Sequence, residues 1–286
     1  MSRLLESFYF VFMLIISSCC CYACGSCSRN FGIADDMEHH VLADFFSWNT
    51  RLCSSLDRVL VRDSENASLE RFLTEIRPEH RVADVGGGKQ PARLKYPDHA
   101  WNGVAYEGLD IDDTELRSAP PGIYSRVRVV DITDVPGEMS ESYDRIICRN
   151  TLEHVRDMDR AIGGLAMMAR PNGKIYVKTT CRFALYARLN RILPEVLKRR
   201  LLFFLFPHKS GDGFPAFYDR CTVREISDLA SKHGLNPSFP VNQSYYSTYF
   251  TFLMPVYFVW RFFTGIQYLI NKDYSERFEL VFEKRD

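Results

Sequence analysis

The sequence lacks an excess of charge of either sign, and it lacks internal repeats. Its 286 residues include 36 lysines and arginines and 36 aspartates and glutamates, so the formal net charge is zero. A general nucleic-acid-binding protein usually carries a basic excess, and we therefore expect no nucleic-acid partner. With 46% hydrophobic residues and no long low-complexity tract, the chain suits one large globular domain or two small ones.

A disulfide framework and a cysteine-based metal site are also missing from the pattern. Five of the nine cysteines fall between residues 19 and 27. The other four are scattered singly: Cys53, Cys148, Cys181 and Cys221. This scatter is typical of reduced cytosolic thiols. Cys24 and Cys27 have zinc-like spacing, but no second pair with matching spacing follows, so we predict no metal site.

The apolar run near the N terminus is shorter than a membrane span. It extends over nine residues, from Phe8 to Ile16, whereas a helix needs about 20 residues to cross a bilayer. The run does match the core of a signal peptide, and Ile16-Ser-Ser-Cys19 is similar to a lipoprotein cleavage site. Three interpretations of residues 1–30 stay open: a disordered or wrongly started terminus, an anchor with acylated cysteines, and an export signal.

The stretch at residues 81–91 combines a short apolar run with three consecutive glycines. Residues 82–85 predict a buried parallel strand, and Gly86–Gly88 predict a tight turn at its carboxyl end, where the backbone can approach a polar ligand. The dinucleotide fingerprint G-x-G-x-x-G needs a third glycine, but Pro91 occupies that position. The shorter acidic-x-Gly-x-Gly form is met by Asp84 and two of the glycines.

A regular series of strands follows the turn. Strand patterns occupy residues 104–110, 127–131, 143–148 and 174–180, and a helical pattern separates the last two at Val155–Ala169. Strands that alternate with helices predict a parallel sheet wound on both faces. Asp110 ends the second strand 22 positions after Gly88, where a carboxylate can accept both hydroxyls of a ribose. Asp112 and Asp113 are close enough that this assignment can shift by two.

These motifs resemble the class I S-adenosylmethionine-dependent methyltransferases that act on small molecules and lipids. The resemblance covers residues 78–180 closely and the remainder loosely. It implies S-adenosylmethionine as the cofactor and a Rossmann-like α/β fold, with a doubly wound, mostly parallel sheet of about seven strands whose last strand is antiparallel. Residues 277–284 alternate like such a final strand, with Phe278, Leu280 and Phe282 toward the core and Glu279 and Glu283 on the other side.

The resemblance also implies which residues contact the cofactor. They are Asp84, Gly86, Gly87, Gly88, Asp110, Asp131, Ile132 and Asn150. Among them, Asp131 and Ile132 match the position that contacts the adenine in the family. Asn150 belongs to residues 149–154, a segment that resembles the family's sequence after strand four. His154, at its end, is the candidate proton acceptor near the transferred methyl group.

The same segment has a purely structural alternative. Asn150 can cap the next helix while Glu153, three residues later, reaches back as in a capping box. Glu153 and His154 can also bind a divalent metal together, but no third ligand is nearby in the sequence. We therefore predict no metal at this segment.

Two further regions border the predicted cofactor cleft. Apolar residues recur at helical spacing within residues 31–80, so we predict lead-in helices that pack on the sheet and cover the cleft. The loop with Tyr218, Asp219 and Arg220 lies over the acceptor pocket by resemblance. These three side chains either orient the acceptor or brace their own loop.

The second half adds apolar insertions at residues 182–215 and 245–270. Residues 182–209 contain seven basic residues and one acidic residue, which fits either a membrane-facing amphipathic segment or a helical lid. Residues 245–270 carry Arg261 as their only charge and are long enough to cross a bilayer. Because the final strand must return to the sheet, we predict a helix or hairpin on the membrane surface, with a buried core helix as the alternative.

The sequence therefore predicts a methyltransferase for an amphiphilic acceptor: a lipid, a quinone-like ring or a lipid-linked saccharide. Residues 1–30 precede lead-in helices at 31–80 and a methyltransferase domain at 81–286. The expected location is cytoplasmic, with peripheral contact at the cytoplasmic membrane face. A small soluble acceptor, a nicotinamide-dependent oxidoreductase and a non-catalytic cofactor-binding membrane partner are the alternatives.

Overall fold

The computed structural model describes residues 34–60, 67–95, 101–194, 196–198, 200 and 215–285. The interpretations of residues 1–30, and the part of the first insertion at residues 201–214, lie outside the described residues. The chain divides into two compact units, residues 1–48 and 49–286. Of the first unit, the structure describes residues 34–48, which form the start of helix α1 (Ala34–Leu60).

The second unit is organised around one sheet, which has eight strands in the described part of the chain. The strands are β1 (Arg81–Val85), β2 (Ala105–Asp110), β3 (Arg126–Val129), β4 (Tyr143–Arg149), β5 (Ala169–Thr180), β6 (Leu235–Pro237), β7 (Asn242–Ser244) and β8 (Arg277–Lys284). Their order is β3-β2-β1-β4-β5-β8-β6, and β7 also pairs with β8. Strands β1 to β5 pair in parallel, while β8 runs antiparallel to β5, β6 and β7. The predicted mostly parallel sheet with an antiparallel last strand is confirmed.

Helices cover both faces of this sheet. The described α-helices after α1 are α2 (Ala67–Thr74), α3 (Asp113–Arg117), α4 (Met158–Met168), α5 (Leu185–Ile192), α6 (Val223–Lys232) and α7 (Met254–Ile270). On one face, Leu165 of α4 and Ile226 of α6 share a core with Ile146 of β4. On the other face, Phe72 of α2 packs on Tyr176 of β5, with ring centroids 5.8 Å apart. The sheet is therefore doubly wound, as predicted.

The boundary between α4 and β5 differs from the prediction. The helix begins at Met158 rather than Val155, because Asp157 Oδ1 accepts the N–H of Arg160 and caps it. Strand β5 then starts at Ala169 instead of residue 174 and includes the Pro-Asn-Gly sequence at residues 171–173. A register shift between Tyr143 and Arg145 of β4 accommodates the extra residues of β5. A local irregularity in the ladder thus lies where the sequence left a gap between the predicted helix and the predicted strand.

The lead-in helices pack on different partners. Helix α2 lies on the sheet, as predicted. The second half of α1 instead packs on α7, where Cys53 shares a core with Tyr257 and Trp260. Asp57 Oδ1 accepts a hydrogen bond of 2.8 Å from Arg261 Nε, so the one charge expected in the second insertion is paired at this contact.

Helix α7 is buried on one side only. Tyr257, Trp260 and Thr264 face the protein, whereas the opposite side of the helix is exposed. The alternative of a buried core helix is therefore wrong. Among the described helices, none combines the length and the apolar character that a membrane crossing requires.

The last strand and the scattered cysteines complete the core. Phe278, Leu280 and Phe282 are buried on the predicted face of β8. Glu279, on the other face, is buried as well, because α2 covers it and the N–H of Ser68 donates to its Oε2. The four scattered cysteines are free and buried.

Candidate functional site

The glycine turn lies at the carboxyl end of β1, against the loop that follows β4. Gly86 has a φ of +69°, and a Cβ atom there would lie 2.0 Å from Thr151 Oγ1. Thr151 Oγ1 in turn donates to the carbonyl of Val85 at 3.2 Å. Only glycine can occupy position 86, because both the backbone conformation and the contact with Thr151 exclude a side chain.

Asp84 stabilises this turn through hydrogen bonds of its side chain. Its fully buried carboxylate accepts the N–H of Ala92 at 2.7 Å and the hydroxyl of Tyr106. A Cβ atom on Gly87 would lie 2.6 Å from Asp84 Oδ2. Burial raises the pKa of the Asp84 carboxyl, and the positive charge of Arg149 acts in the opposite direction. These contacts are those of a residue that shapes the turn.

Asp110 lies beside the turn at the end of β2. A Cβ atom on Gly88 would be 3.4 Å from Asp110 Oδ2, while Oδ1 accepts the N–H of Asp112 at 3.1 Å. Burial raises the pKa of the Asp110 carboxyl. The competing residues are occupied elsewhere: Asp112 caps α3 by accepting the N–H of Thr114, and Asp113 pairs with Arg117. The geometry favours Asp110 as the acidic residue at the turn.

Two residues at this edge, Tyr124 and Arg149, were not predicted from the sequence. The ring of Tyr124 stacks on Tyr106 with centroids 5.1 Å apart, and its hydroxyl lies 3.5 Å from the carbonyl of Gly88. Arg149 Nη2 donates to the carbonyl of Gln90 at 2.8 Å, across the end of the turn. Gly108 could have indicated a bulky neighbour here, because a glycine inside a buried strand often marks a close approach by another group. A Cβ atom on Gly108 would lie 2.8 Å from the Tyr124 ring.

The predicted adenine-side residues lie at the same edge of the sheet. The N–H of Val130 donates to the carbonyl of Asp110 at 2.8 Å, which brings the following residues next to the end of β2. Asp131 is exposed, and its Oδ1 accepts both the N–H and the hydroxyl of Thr133 at 2.8 Å. Ile132 is buried in the core against α4. Asn150 is exposed at the end of β4, with a φ of +53°.

The capping interpretation of Asn150 and Glu153 is wrong. Asn150 donates its N–H to the carbonyl of Lys178 at 2.8 Å, and the next helix is capped by Asp157. Glu153 is buried and accepts the hydroxyl of Thr179 at 2.7 Å and that of Thr180 at 3.3 Å. Its carboxylate therefore joins the loop after β4 to the end of β5.

His154 and Tyr218 lie on either side of the Glu153 backbone. The Glu153 carbonyl accepts the N–H groups of Phe217 and Tyr218 at 2.8 and 3.0 Å. His154 Nδ1 lies 2.9 Å from the carbonyl of Pro215, so Nδ1 carries a proton. In the neutral ring, Nε2 is then the basic nitrogen. The structure thus brings His154 and the loop at Tyr218 together.

The other two residues of that loop contact helix α4. Asp219 Oδ2 accepts the N–H of Met158 at 3.0 Å, at the start of the helix. Arg220 lies 3.6 Å from Asp157 and 3.3 Å from Asp219. Tyr218 is buried, and its hydroxyl accepts a hydrogen bond from Asn190 Nδ2 of α5 at 3.3 Å. These contacts are those of a braced loop.

Within the described ranges, no group of three or more His, Cys, Asp and Glu side chains is arranged to hold a metal ion. Glu153 accepts a hydrogen bond from a threonine hydroxyl on β5, and His154 binds the carbonyl of Pro215. The two side chains that were considered as a metal pair are thus engaged with different partners.

Residues 59–236 match a family model described as a methyltransferase domain. The ubiquinone biosynthesis O-methyltransferase of Xanthomonas axonopodis pv. citri is 33% identical over 107 residues, which cover 36% of this chain and 44% of that enzyme. The enzyme of the same name from Pseudomonas savastanoi pv. phaseolicola is 28% identical over 107 residues, which cover 36% and 45%. The chain therefore spans less than half the length of these curated relatives.

A solved structure is similar to most of the chain. It is a chain of the complex between the Haloferax volcanii Trm112 methyltransferase activator and a methyltransferase. The TM-score is 0.51 at 12% identity, and the match covers 85% of this chain and 98% of that one. This similarity concerns the fold alone.

Proposed function

The chain belongs to the class I S-adenosylmethionine-dependent methyltransferases, and we propose that it transfers the cofactor's methyl group to an amphiphilic acceptor. The acceptor classes are a lipid, a quinone-like ring and a lipid-linked saccharide. The observation that carries the proposal is the position of the Asp110 carboxylate beside Gly88, where a Cβ atom would lie 3.4 Å from Asp110 Oδ2. Backbone and carboxylate meet there at the carboxyl edge of a parallel sheet, the place where such folds bind nucleosides.

The residues at this edge fit the cofactor. Gly88, which has a φ of +41°, leaves room next to Asp110, whose carboxylate oxygens can accept the two ribose hydroxyls. Asp131 and Ile132 are our candidates for the adenine side, and Asn150 is our candidate at the end of β4. When bound, S-adenosylmethionine supplies a methyl group on a sulfonium, which is already activated for attack by a nucleophile.

The chain itself has to orient the acceptor and, for a hydroxyl acceptor, remove its proton. We propose His154 as that base. The bond between Nδ1 and the Pro215 carbonyl leaves Nε2 as the basic nitrogen of the neutral ring. It also fixes the ring's direction relative to the loop at Tyr218, because Phe217 and Tyr218 bind the Glu153 carbonyl.

An amphiphilic acceptor is supported by a stacked aromatic pair on the helix that binds the loop at Tyr218. Tyr186 of α5 and Tyr249 stack face to face with ring centroids 3.8 Å apart. Burial raises the pKa of Tyr186, and its partner Tyr249 raises it further. Aromatic side chains with polar ends suit a ring that carries hydroxyl groups. The names of the curated relatives point in the same direction, over less than half of their length.

We propose a cytoplasmic location with peripheral contact at the cytoplasmic membrane face. The cofactor is made and kept in the cytosol, and an amphiphilic acceptor resides in the membrane. A protein that acts on such an acceptor therefore benefits from lying on the bilayer.

Calorimetric titration tests the cofactor, and paired acceptors test the substrate class. The protein should bind S-adenosylhomocysteine but neither NADH nor NADPH, and binding of a nicotinamide alone would overturn the proposal. With S-adenosylmethionine, a polyprenylated catechol in detergent micelles should be methylated faster than catechol without the tail. Equal or faster methylation of the tailless compound would reject the amphiphilic acceptor, and turnover of neither would favour a non-catalytic role.

A further inference from the structure

Helices α5 and α7 lie next to each other and both expose apolar side chains. Arg188 of α5 donates from Nη2 to Gln267 Oε1 of α7 at 3.1 Å, and its guanidinium lies 5.7 Å from the centre of the Phe263 ring. We define the apolar surface as the outer side chains of these helices and of the short helical stretch after α5. Its members include Val259, Phe262, Leu269, Ile270, Ile192 and Val196.

The exposure of this surface is unusual for large apolar side chains. Phe262 is 73% exposed, Leu269 81% and Ile192 77%. A monomeric soluble protein rarely exposes adjacent apolar groups of this size without a partner for them. The surface is therefore a candidate interaction site.

The outer face of α7 is also free of charged side chains. Phe258, Phe262, Ile266 and Leu269 recur at helical spacing on the side opposite Trp260. Arg261 is turned away from them, because its Nε and Nη1 donate to Asp57 Oδ1 and to the carbonyl of Tyr245, both at 2.8 Å. Arg261 therefore interrupts the apolar sequence of α7 but does not interrupt its apolar face.

Basic residues adjoin the α5 part of the apolar surface in the sequence. Residues 182–209 hold seven basic residues and one acidic residue. Among the described ones, Arg191 and Arg200 are exposed close to Ile192 and Val196 in the chain. Apolar side chains flanked by arginine and lysine are the pattern that binds an anionic bilayer, since the apolar groups enter the interface and the cations stay at the headgroups.

We propose that the apolar surface of α5 and α7 docks on an anionic membrane. This inference rests on the proposed function, because it names the partner in which the amphiphilic acceptor resides. A second copy of the chain is a less suitable occupant, since the net basic segment next to Ile192 would face its own like charges in a symmetric pair.

Docking at this surface brings the membrane to the acceptor side of the site. Asn190, between Leu189 and Arg191 of α5, donates to the hydroxyl of Tyr218 at 3.3 Å. The N–H of Tyr218 donates to the Glu153 carbonyl at 3.0 Å, next to His154. The surface helix thus touches the loop that borders the proposed base.

Vesicle sedimentation with the full chain tests the proposal. Vesicles of phosphatidylcholine with phosphatidylglycerol should retain the wild-type protein, and vesicles of phosphatidylcholine alone should retain less. The double variant F262D/L269D and the charge reversal R191E/R200E should each bind the anionic vesicles about tenfold more weakly. The control V127D/V129D introduces the same two charges at apolar residues of edge strand β3 that are 48% and 57% exposed, and it should bind like the wild type.

Three results would overturn the docking surface. The first is that the wild-type protein binds neither kind of vesicle, and the second is that F262D/L269D binds as the wild type does. The third is that the wild type is a dimer and that F262D/L269D turns it into a monomer without changing its vesicle binding. Titration with S-adenosylhomocysteine without vesicles reports on the proposed function separately. If the protein binds the cofactor product normally but does not bind vesicles, only the docking surface is rejected. If it binds vesicles but not the cofactor product, only the proposed function is rejected.

Discussion

Gly86 and Thr151 lie so close together that a Cβ atom on Gly86 would be 2.0 Å from Thr151 Oγ1. The contact closes the end of β1 against the loop after β4, with the Thr151 hydroxyl bound to the Val85 carbonyl at 3.2 Å. The turn at the candidate site is therefore held by its neighbours as much as by its own sequence. Its glycines have a structural reason in addition to any contact with a ligand.

Gly86→Ala should lower the free energy of unfolding by about 2–5 kcal/mol, since it adds a steric conflict to a strained backbone. Gly122 provides a matched control, because its φ of +76° is similar and a Cβ atom there meets nothing within 4 Å. Gly122→Ala should therefore cost only the backbone term of about 1–2 kcal/mol. Urea unfolding measures both, and equal losses would show that the contact with Thr151 is unimportant.

Asp110→Ala should weaken the binding of S-adenosylhomocysteine by roughly 1.5–3 kcal/mol, because two hydrogen bonds to a charged group are lost. Asp113→Ala is the control, as Asp113 lies three residues away and pairs with Arg117 on the surface. Calorimetric titration should find the control close to the wild type. If Asp110→Ala binds normally, the acidic residue at the ribose has been assigned wrongly.

The sheet was predictable because it depends on short-range patterns, and the proposal of Asp110 as the acidic residue rests on a pattern of the same kind. Apolar runs of strand length, glycines at a turn and a fixed spacing to the next acid are all local. The family resemblance implied an antiparallel last strand, and the core face of that strand was visible in the alternation of residues 277–284. The burial of its opposite face was not visible, because Glu279 on that face is bound by Ser68, which is distant in the chain.

The roles of Glu153 and Asp57 could not be read from the sequence for the same reason. An Asn followed three residues later by Glu is a capping box locally, but Thr179 and Thr180, which bind Glu153, are more than twenty residues away. The partner of Asp57 is Arg261, on a helix at the other end of the chain. Patterns of neighbouring residues carry no information on such pairs.

Glu276→Gln should change how stability depends on pH. The Oε1 atom of Glu276 accepts the indole N–H of Trp260 at 3.0 Å and the hydroxyl of Tyr274 at 2.7 Å, and a glutamine oxygen can accept both. Burial raises the pKa of Glu276 in the folded protein. Folding therefore favours the protonated form, and this contribution is lost as the pH rises from the usual glutamate pKa through the raised one.

Urea unfolding from acidic to neutral pH measures this contribution. The wild type should lose stability over that window relative to Glu276→Gln, and the variant should be at least as stable at neutral pH. Glu138→Gln, at an exposed site, should follow the wild-type pH dependence. Parallel curves for the wild type and Glu276→Gln would rule out the buried carboxyl as the cause.

Asp219→Ala should reduce the free energy of unfolding by about 0.5–2 kcal/mol, because the first N–H of α4 loses its side-chain acceptor, a loss similar to that of a helix cap. The reason is the bond of 3.0 Å from the Met158 N–H to Asp219 Oδ2 at the start of α4. The Michaelis constant for the acceptor should stay close to that of the wild type. A variant with normal stability and a raised Michaelis constant would instead make Asp219 an acceptor-orienting residue.

His154→Gln should slow methylation of a hydroxyl acceptor about 10²–10⁴-fold, the usual contribution of a positioned base. Glutamine can still donate to the Pro215 carbonyl, which His154 Nδ1 meets at 2.9 Å, but it cannot accept a proton. Binding of S-adenosylhomocysteine should be unchanged, so a calorimetric titration separates loss of the base from loss of the fold. Single-turnover rates at rising pH give a second readout, because a more ionised acceptor needs the base less and the variant should then recover. A variant as fast as the wild type at neutral pH would exclude His154 as the base and leave orientation by the surrounding loop as the contribution of this segment.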